Sequence, residues 1–110
     1  MISTDQVEAA VDWLRDNAKA AGRARANREH LDNYSKVVKS RLMGERLSEP
    51  VNAQERYAYA HPEYEKHLEG LRVAIEEDEA MRWLMKAAEA KIEVWRTEQA
   101  NLRAEGKAYG

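Results

Sequence analysis

Cysteine is absent from the 110 residues, which excludes disulfides and thiolate metal sites and fits a reducing compartment. Only two prolines and five glycines occur, and together with abundant Ala, Glu, Lys, Arg and Leu this is a helix-forming composition. No apolar run approaches the ~18 residues that a membrane-spanning helix requires. The opening MISTDQVEAAVDW has neither a basic n-region nor an apolar h-region, so it does not read as a secretory signal. A soluble, cytoplasmic protein is expected. Chemistry-bearing patterns are scarce as well. His30, His61 and His67 lack ligand-type spacing, Gly22, Gly44 and Gly70 are isolated, and no nucleophile–base pair stands out. No metal, no cofactor and no enzymatic activity is expected.

What the chain does have is charge, at 35% of residues, unevenly spread. From Lys19 to Arg46 eight Lys/Arg face three acids, a local +5, inside a chain of net −2. Residues 1–18 carry −3 and the part from Leu47 onward −4. A basic band between acidic ends points to an anionic partner. Its residues Lys19, Arg23, Arg25, Arg28, His30, Lys36, Lys39 and Arg41 form the candidate nucleic-acid-binding set, because cations flanking an apolar seam can follow a phosphate backbone. The competing reading pairs these cations with acids of the C-terminal helix, as a solubilising surface. An exposed acidic surface, to which Glu63, Glu65, Glu69 and Glu76 to Glu79 contribute, would instead mark a protein-interaction module.

Helical periodicity organises almost the whole chain. Ser3 and Gln6 can form a capping box. Val7, Val11, Leu14, Ala18 and Ala21 then follow at 4-3-4-3 spacing. A second apolar stripe, Ala20, Ala24, Asn27, Leu31, Tyr34, Val38 and Leu42, lies roughly 150° around the helix from the first. The apolar side therefore changes over near Gly22, by a bend or by a change of partner, and Arg25 and Arg28 continue the first stripe. Helicity fades across GERLSEPVN, since Gly44 and Pro50 oppose it. Asn52 and Glu55 resemble a capping box for a short helix, and His61-Pro62 ends that helix and starts another. In the last segment Tyr64, Leu68, Leu71 and Ile75 form one stripe, and Met81, Met85, Ala88, Ile92, Trp95, Gln99 and Leu102 another, with a three-residue break in heptad phase at Asp78. Trp83, Leu84, Ala87, Ala90 and Val94 widen that apolar face beyond what one partner helix covers. Tyr34 and Tyr64 fall on apolar stripes, which assigns them to packing, whereas Tyr57 and Tyr59 stay open between packing and base stacking.

The expected fold is all-α and a single domain. A long helix of about residues 4–46 and a long helix of about 62–105 pair as an antiparallel hairpin, joined by a short helix of about 53–60. A homo-oligomer is expected through the C-terminal helix at Met81, Leu84, Met85, Ala88, Ile92, Trp95 and Leu102, because a small elongated helical chain buries little surface alone.

The segment Arg28-Glu-His-Leu-Asp-Asn-Tyr-Ser35 resembles the basic–x–basic–Leu-Asp-x-Tyr-Ser segment of the UvsY-like recombination mediators of T-even-type phages. In that family the two basic positions belong to the single-strand DNA-binding site, and they fall here on Arg28 and His30. The likeness covers most of the chain in layout and eight residues in motif. It implies a small helical protein that forms a closed ring-like oligomer through its C-terminal helices. Such mediators bind single-stranded DNA and load a recombinase onto strands covered by single-strand-binding protein. Two departures stand out: His30 replaces a permanently charged residue, and Lys36-Val-Val-Lys39 replaces a Gly-containing turn. The rival function is a small helical interaction module or inhibitor without direct DNA binding, anti-CRISPR-like for example. A structural or assembly role comes third.

Overall fold

A computed structural model describes residues 1–109, with the side chain of Tyr109 left aside. The described residues form helices and no strand: α1 is Thr4–Met43, α2 is Val51–Ala60 and α3 is Pro62–Tyr109. A 3-10 turn, Gly44–Arg46, follows α1. No helix among the described residues is long and apolar enough to cross a membrane.

The helix ends follow from local chemistry. The Gln6 amide donates to Ser3 Oγ at 3.2 Å and the Ser3 amide to Gln6 Oε1 at 2.8 Å, the reciprocal capping box that these two residues predict. Asp5 adds a negative charge at the positive end of the helix dipole. At the other junction, His61 ends α2 in an extended conformation. Its Nδ1 accepts from the Glu63 amide at 3.0 Å, and its carbonyl accepts from Tyr64 and Glu65. Pro62, with no amide hydrogen to satisfy, then takes the first position of α3. The start of α2 differs from expectation. The helix begins at Val51 behind Pro50, and the Asn52 carboxamide bonds only the next amide, of Ala53. Glu55 turns away to Lys39 at 3.5 Å, so the anticipated box does not form.

The chain divides into two compact units. One comprises Met1–Ala21 with Ala80–Gly110, and the other Gly22–Glu79. In the second unit, Val38, Leu42 and Ala58 make a core cluster that Met43, Tyr57 and Tyr64 cover in part. Leu42 is fully buried. Gln54 is buried beside them and spends its carboxamide on the Glu49 carbonyl at 2.8 Å, which caps the turn before α2 from within. In the first unit the buried residues are Val7, Ala10 and Ala88, and the Ile2 amide donates to Glu98 Oε2 at 3.0 Å.

Burial corrects the phase of both long helices. On α1 one covered row is 7, 10, 14, 17 and 21 in the first unit and 24, 28, 31, 35, 38 and 42 in the second, with 13, 39 and 43 partly covered beside it. Both runs keep the 3-4 alternation of a heptad, and the spacing carries over from one to the next in the sequence. Val11, Ala18, Asn27 and Tyr34, members of the anticipated stripes, are exposed, and Asn17, Arg28 and Ser35 take seam positions. On α3 one covered row is 64, 67, 71, 74 and 78, and then 81, 85, 88, 92, 95 and 99, with 75, 79 and 98 partly covered beside it. The anticipated break at Asp78 disappears once His67, Ala74 and Asp78 are counted in place of Leu68 and Ile75. A polar side chain can occupy a heptad seam when its partner across the seam satisfies it, and the second unit supplies those partners.

Candidate nucleic-acid interface

Four of the eight candidate basic-band residues pair with acids inside the second unit. The Arg28 guanidinium, itself half-buried, donates to Asp78 Oδ2 at 3.0 Å and to Glu79 Oε1 at 2.8 Å. Asp78 is only 5% exposed, so the seam holds a charged cluster. Arg25 lies 3.9 Å from the same Asp78 oxygen and donates from Nε to Glu29 at 2.9 Å. Arg41 donates to Glu63 at 2.7 Å, and Lys39 reaches Glu55. Hydrogen bonds to the carboxylates, Glu79 first for Arg28, Glu29 for Arg25 and Glu63 for Arg41, raise all three guanidinium pKa values further. These arginines stay charged at any accessible pH.

The remaining candidates look outward. Lys19 is exposed in the first unit, and Arg23, His30 and Lys36 are exposed in the second. Lys19, Arg23 and Lys36 have no acid partner among the described residues. Lys36 and Lys39 share a shallow hollow with Ser40, Met43, Leu47 and Gln54.

Within the second unit, Arg23, Asn27, His30, Tyr34, Val37 and Arg41 follow at 4-3-4-3-4 spacing, and all are exposed. The four ring or cation positions, 23, 30, 34 and 41, fall within about 40° of arc on α1. This stripe replaces the packing role anticipated for Tyr34, which is 42% exposed. Tyr34 also belongs to a continuous run of rings. Its centroid lies 5.8 Å from His30 and 5.9 Å from His67, His67 lies 6.5 Å from Tyr64, and Tyr64 lies 5.3 Å from Tyr59. At the far end, the Lys39 ammonium sits 4.8 Å from the Tyr59 centroid. Tyr64 packs on the core, as its stripe predicts. Tyr57 is likewise engaged: it packs on the same core, its hydroxyl donates to Glu45 at 2.6 Å, and Arg46 lies over its ring. The Glu45 bond raises the Tyr57 pKa. Tyr59 is half-exposed.

His67 presents one arrangement that resembles chemistry. Its Nε2 lies 2.8 Å from Ser35 Oγ, the spacing of a nucleophile and its base. The same nitrogen lies 2.9 Å from the Leu31 carbonyl oxygen, which can only accept. Nε2 therefore carries the proton and cannot take one from Ser35. The contact ties α1 to α3. Among the described residues no group of three or more His, Cys, Asp or Glu is placed to hold a metal ion.

The contacts that join the elements, Arg28 with Asp78, Lys39 with Glu55, Arg41 with Glu63 and Tyr34 with His67, were hidden in the sequence because each joins residues 16 or more positions apart. A heptad count that admitted Arg28, Ser35, His67 and Asp78 as seam members would have aligned them. The expected oligomer residues also divide. Met81, Met85, Ala88, Ile92 and Trp95 are covered within the first unit, whereas Leu84 and Leu102 are exposed. No family model matches the chain, and neither the curated proteins nor the solved structures gave a match.

Proposed function

We infer that the protein binds single-stranded DNA, without sequence preference, as a non-enzymatic mediator of recombination built on a homo-oligomeric helical scaffold. The observation that carries this is the exposed stripe Arg23–His30–Tyr34–Arg41, in which cations bracket two adjacent rings. Single-strand binders combine these two elements, cations for phosphates and aromatic faces for bases, and stacking is tolerant of sequence because every base has a π-face. Arg23 and Lys36 supply free charge. Arg41 can exchange Glu63 for a phosphate, since an exposed ion pair of this kind is worth little. Arg28 and Lys39 act behind this surface by tying α1 to α3 and α2, exposed Arg25 pairs with Glu29 on its own helix, and Lys19 extends the basic band of α1 in sequence. In this reading α1 and α3 form an antiparallel hairpin. The contacts 28/78, 35/67 and 41/63 support it, because the α3 partner falls in number as the α1 residue rises. The likeness to UvsY-type mediators adds a recombinase and a single-strand-binding protein as partners, in the cytoplasm of a bacterial or phage-infected cell.

Fluorescence anisotropy with a labelled oligothymidylate tests this. Affinity falls steeply as salt rises, and Arg23→Ala lowers the salt slope by about one. Tyr34→Ala weakens binding by about 1–3 kcal/mol if one base stacks there. Binding that ignores both substitutions overturns the assignment. A second reading, a protein-interaction module without DNA binding, draws on the internal use of Arg25, Arg28, Lys39 and Arg41. Absence of any oligonucleotide binding at low salt would select it.

A further inference from the structure

We propose that the first unit docks a second copy of this chain across an apolar groove between α1 and α3, in a two-fold arrangement. This deepens the self-association in the reading above and does not depend on its DNA-binding part. The groove is lined by Gln6, Ala9 and Trp13 from α1 and by Leu84, Ala87 and Lys91 from α3, over a floor of Ala10 and Ala88. Alanine on both helices lets another helix approach closely.

The sequence pattern around the groove is that of a second seam. Beside its covered row, α3 carries Ala80, Leu84, Ala87, Lys91 and Val94 at 4-3-4-3 spacing, all exposed. On α1, Gln6, Ala9, Trp13, Asp16 and Ala20 run at 3-4-3-4. A helix with two adjacent heptad rows packs against more than one neighbour. Trp83, next to the row, is 63% exposed and Leu84 54%. Exposed apolar side chains grouped in this way mark an interaction site rather than ordinary surface.

Charge selects the partner. The Ile2–Glu98 bond and the shared Ala10/Ala88 floor put low numbers of α1 level with high numbers of α3. Lys91 therefore stands at the Gln6 end of the groove. Asp16, one turn past Trp13, stands toward the Leu84 end, and there it pairs with the exposed Arg15 at 3.4 Å. A two-fold axis through the groove centre brings Lys91 of each copy to the Asp16 end of the other. One surface thus carries both halves of its own complement, as an isologous contact requires.

Sedimentation velocity and equilibrium on the full chain, with circular dichroism of each variant, test the proposal. Wild type sediments at even multiples of the 12.7 kDa chain mass. Ala87→Arg raises the dissociation constant by about 100-fold or more, through an unpaired charge at the centre of the contact. Lys91→Glu and Asp16→Lys each weaken association by about tenfold, and the double exchange restores it to within about threefold of wild type. A wild type that stays at the monomer mass throughout overturns the second copy as occupant and leaves the groove to a foreign helix. Loss in the double exchange that merely adds the two single losses overturns the two-fold geometry, even where Ala87→Arg fails to fold. Arg23→Ala and Tyr34→Ala leave the mass unchanged, so failure of the DNA reading is separate from failure of this one.

Discussion

The two units solve the same packing problem with different materials. In Gly22–Glu79, polar contacts hold α1 to α3: Arg28 with Asp78 and Glu79, His67 with Ser35 and the Leu31 carbonyl, and Arg41 with Glu63. Beneath them lies a core around fully buried Leu42. In the unit of residues 1–21 and 80–110, the buried residues are Val7, Ala10 and Ala88, and the indole N–H of Trp95 is buried with no acceptor among the described residues. Large apolar side chains there, Trp83 and Leu84 among them, remain outside. Directional contacts specify one register, whereas small apolar residues permit several. The second unit is arranged to hold itself together, whereas the first leaves large apolar side chains uncovered.

Perturbations can break or sharpen this contrast. The largest effect belongs to Leu42→Ala, which loses about 2–5 kcal/mol in urea unfolding. Val7→Ala, at a smaller and less covered site, costs clearly less. Equal losses would remove the contrast. Next comes Asp78→Ala, which leaves Arg28 facing a seam without its buried partner. Its loss ranks second to that of Leu42→Ala, and Asp78→Leu combined with Arg28→Leu recovers most of it, because an apolar pair of similar volume fills the seam. The recovered protein should show looser register, read as faster amide exchange across the second unit. Trp95→Phe tests the other side. Removing an orphan donor lifts a penalty of about 1–3 kcal/mol while giving up some contact area, so stability holds or rises. A clear fall would mean that the N–H has a partner.

The smallest expected effect is on pH dependence. The Arg72 hydrogen bond, and then its charge, holds the Glu69 carboxyl below its ordinary value of 4.5. A lowered folded-state pKa contributes stability that is present above the unfolded value and is lost as pH falls through the folded one. Both side chains are more than half exposed, so the contribution is slight. Glu69→Gln should flatten the acid limb of the thermal-stability profile only marginally, and a large change would show a role beyond this pair.

The sequence by itself determined whatever a few neighbouring residues can decide. Helix type follows from composition, the start of α1 from Ser3 and Gln6, and the junction at His61-Pro62 from a proline that suits the first helical turn. These rest on hydrogen bonds spanning only a few residues, within reach of local pattern. Tertiary structure decided the phase of the seams and the use of the charges. An apolar-only count reads Arg28 and Asp78 as interruptions, because a charge is acceptable in a seam only when its partner stands opposite. That partner lies 50 residues away in the chain. Tertiary pairing likewise turned Arg25, Arg28, Lys39 and Arg41 from an apparent open patch into paired charge, and left Arg23, His30, Tyr34 and Lys36 facing solvent.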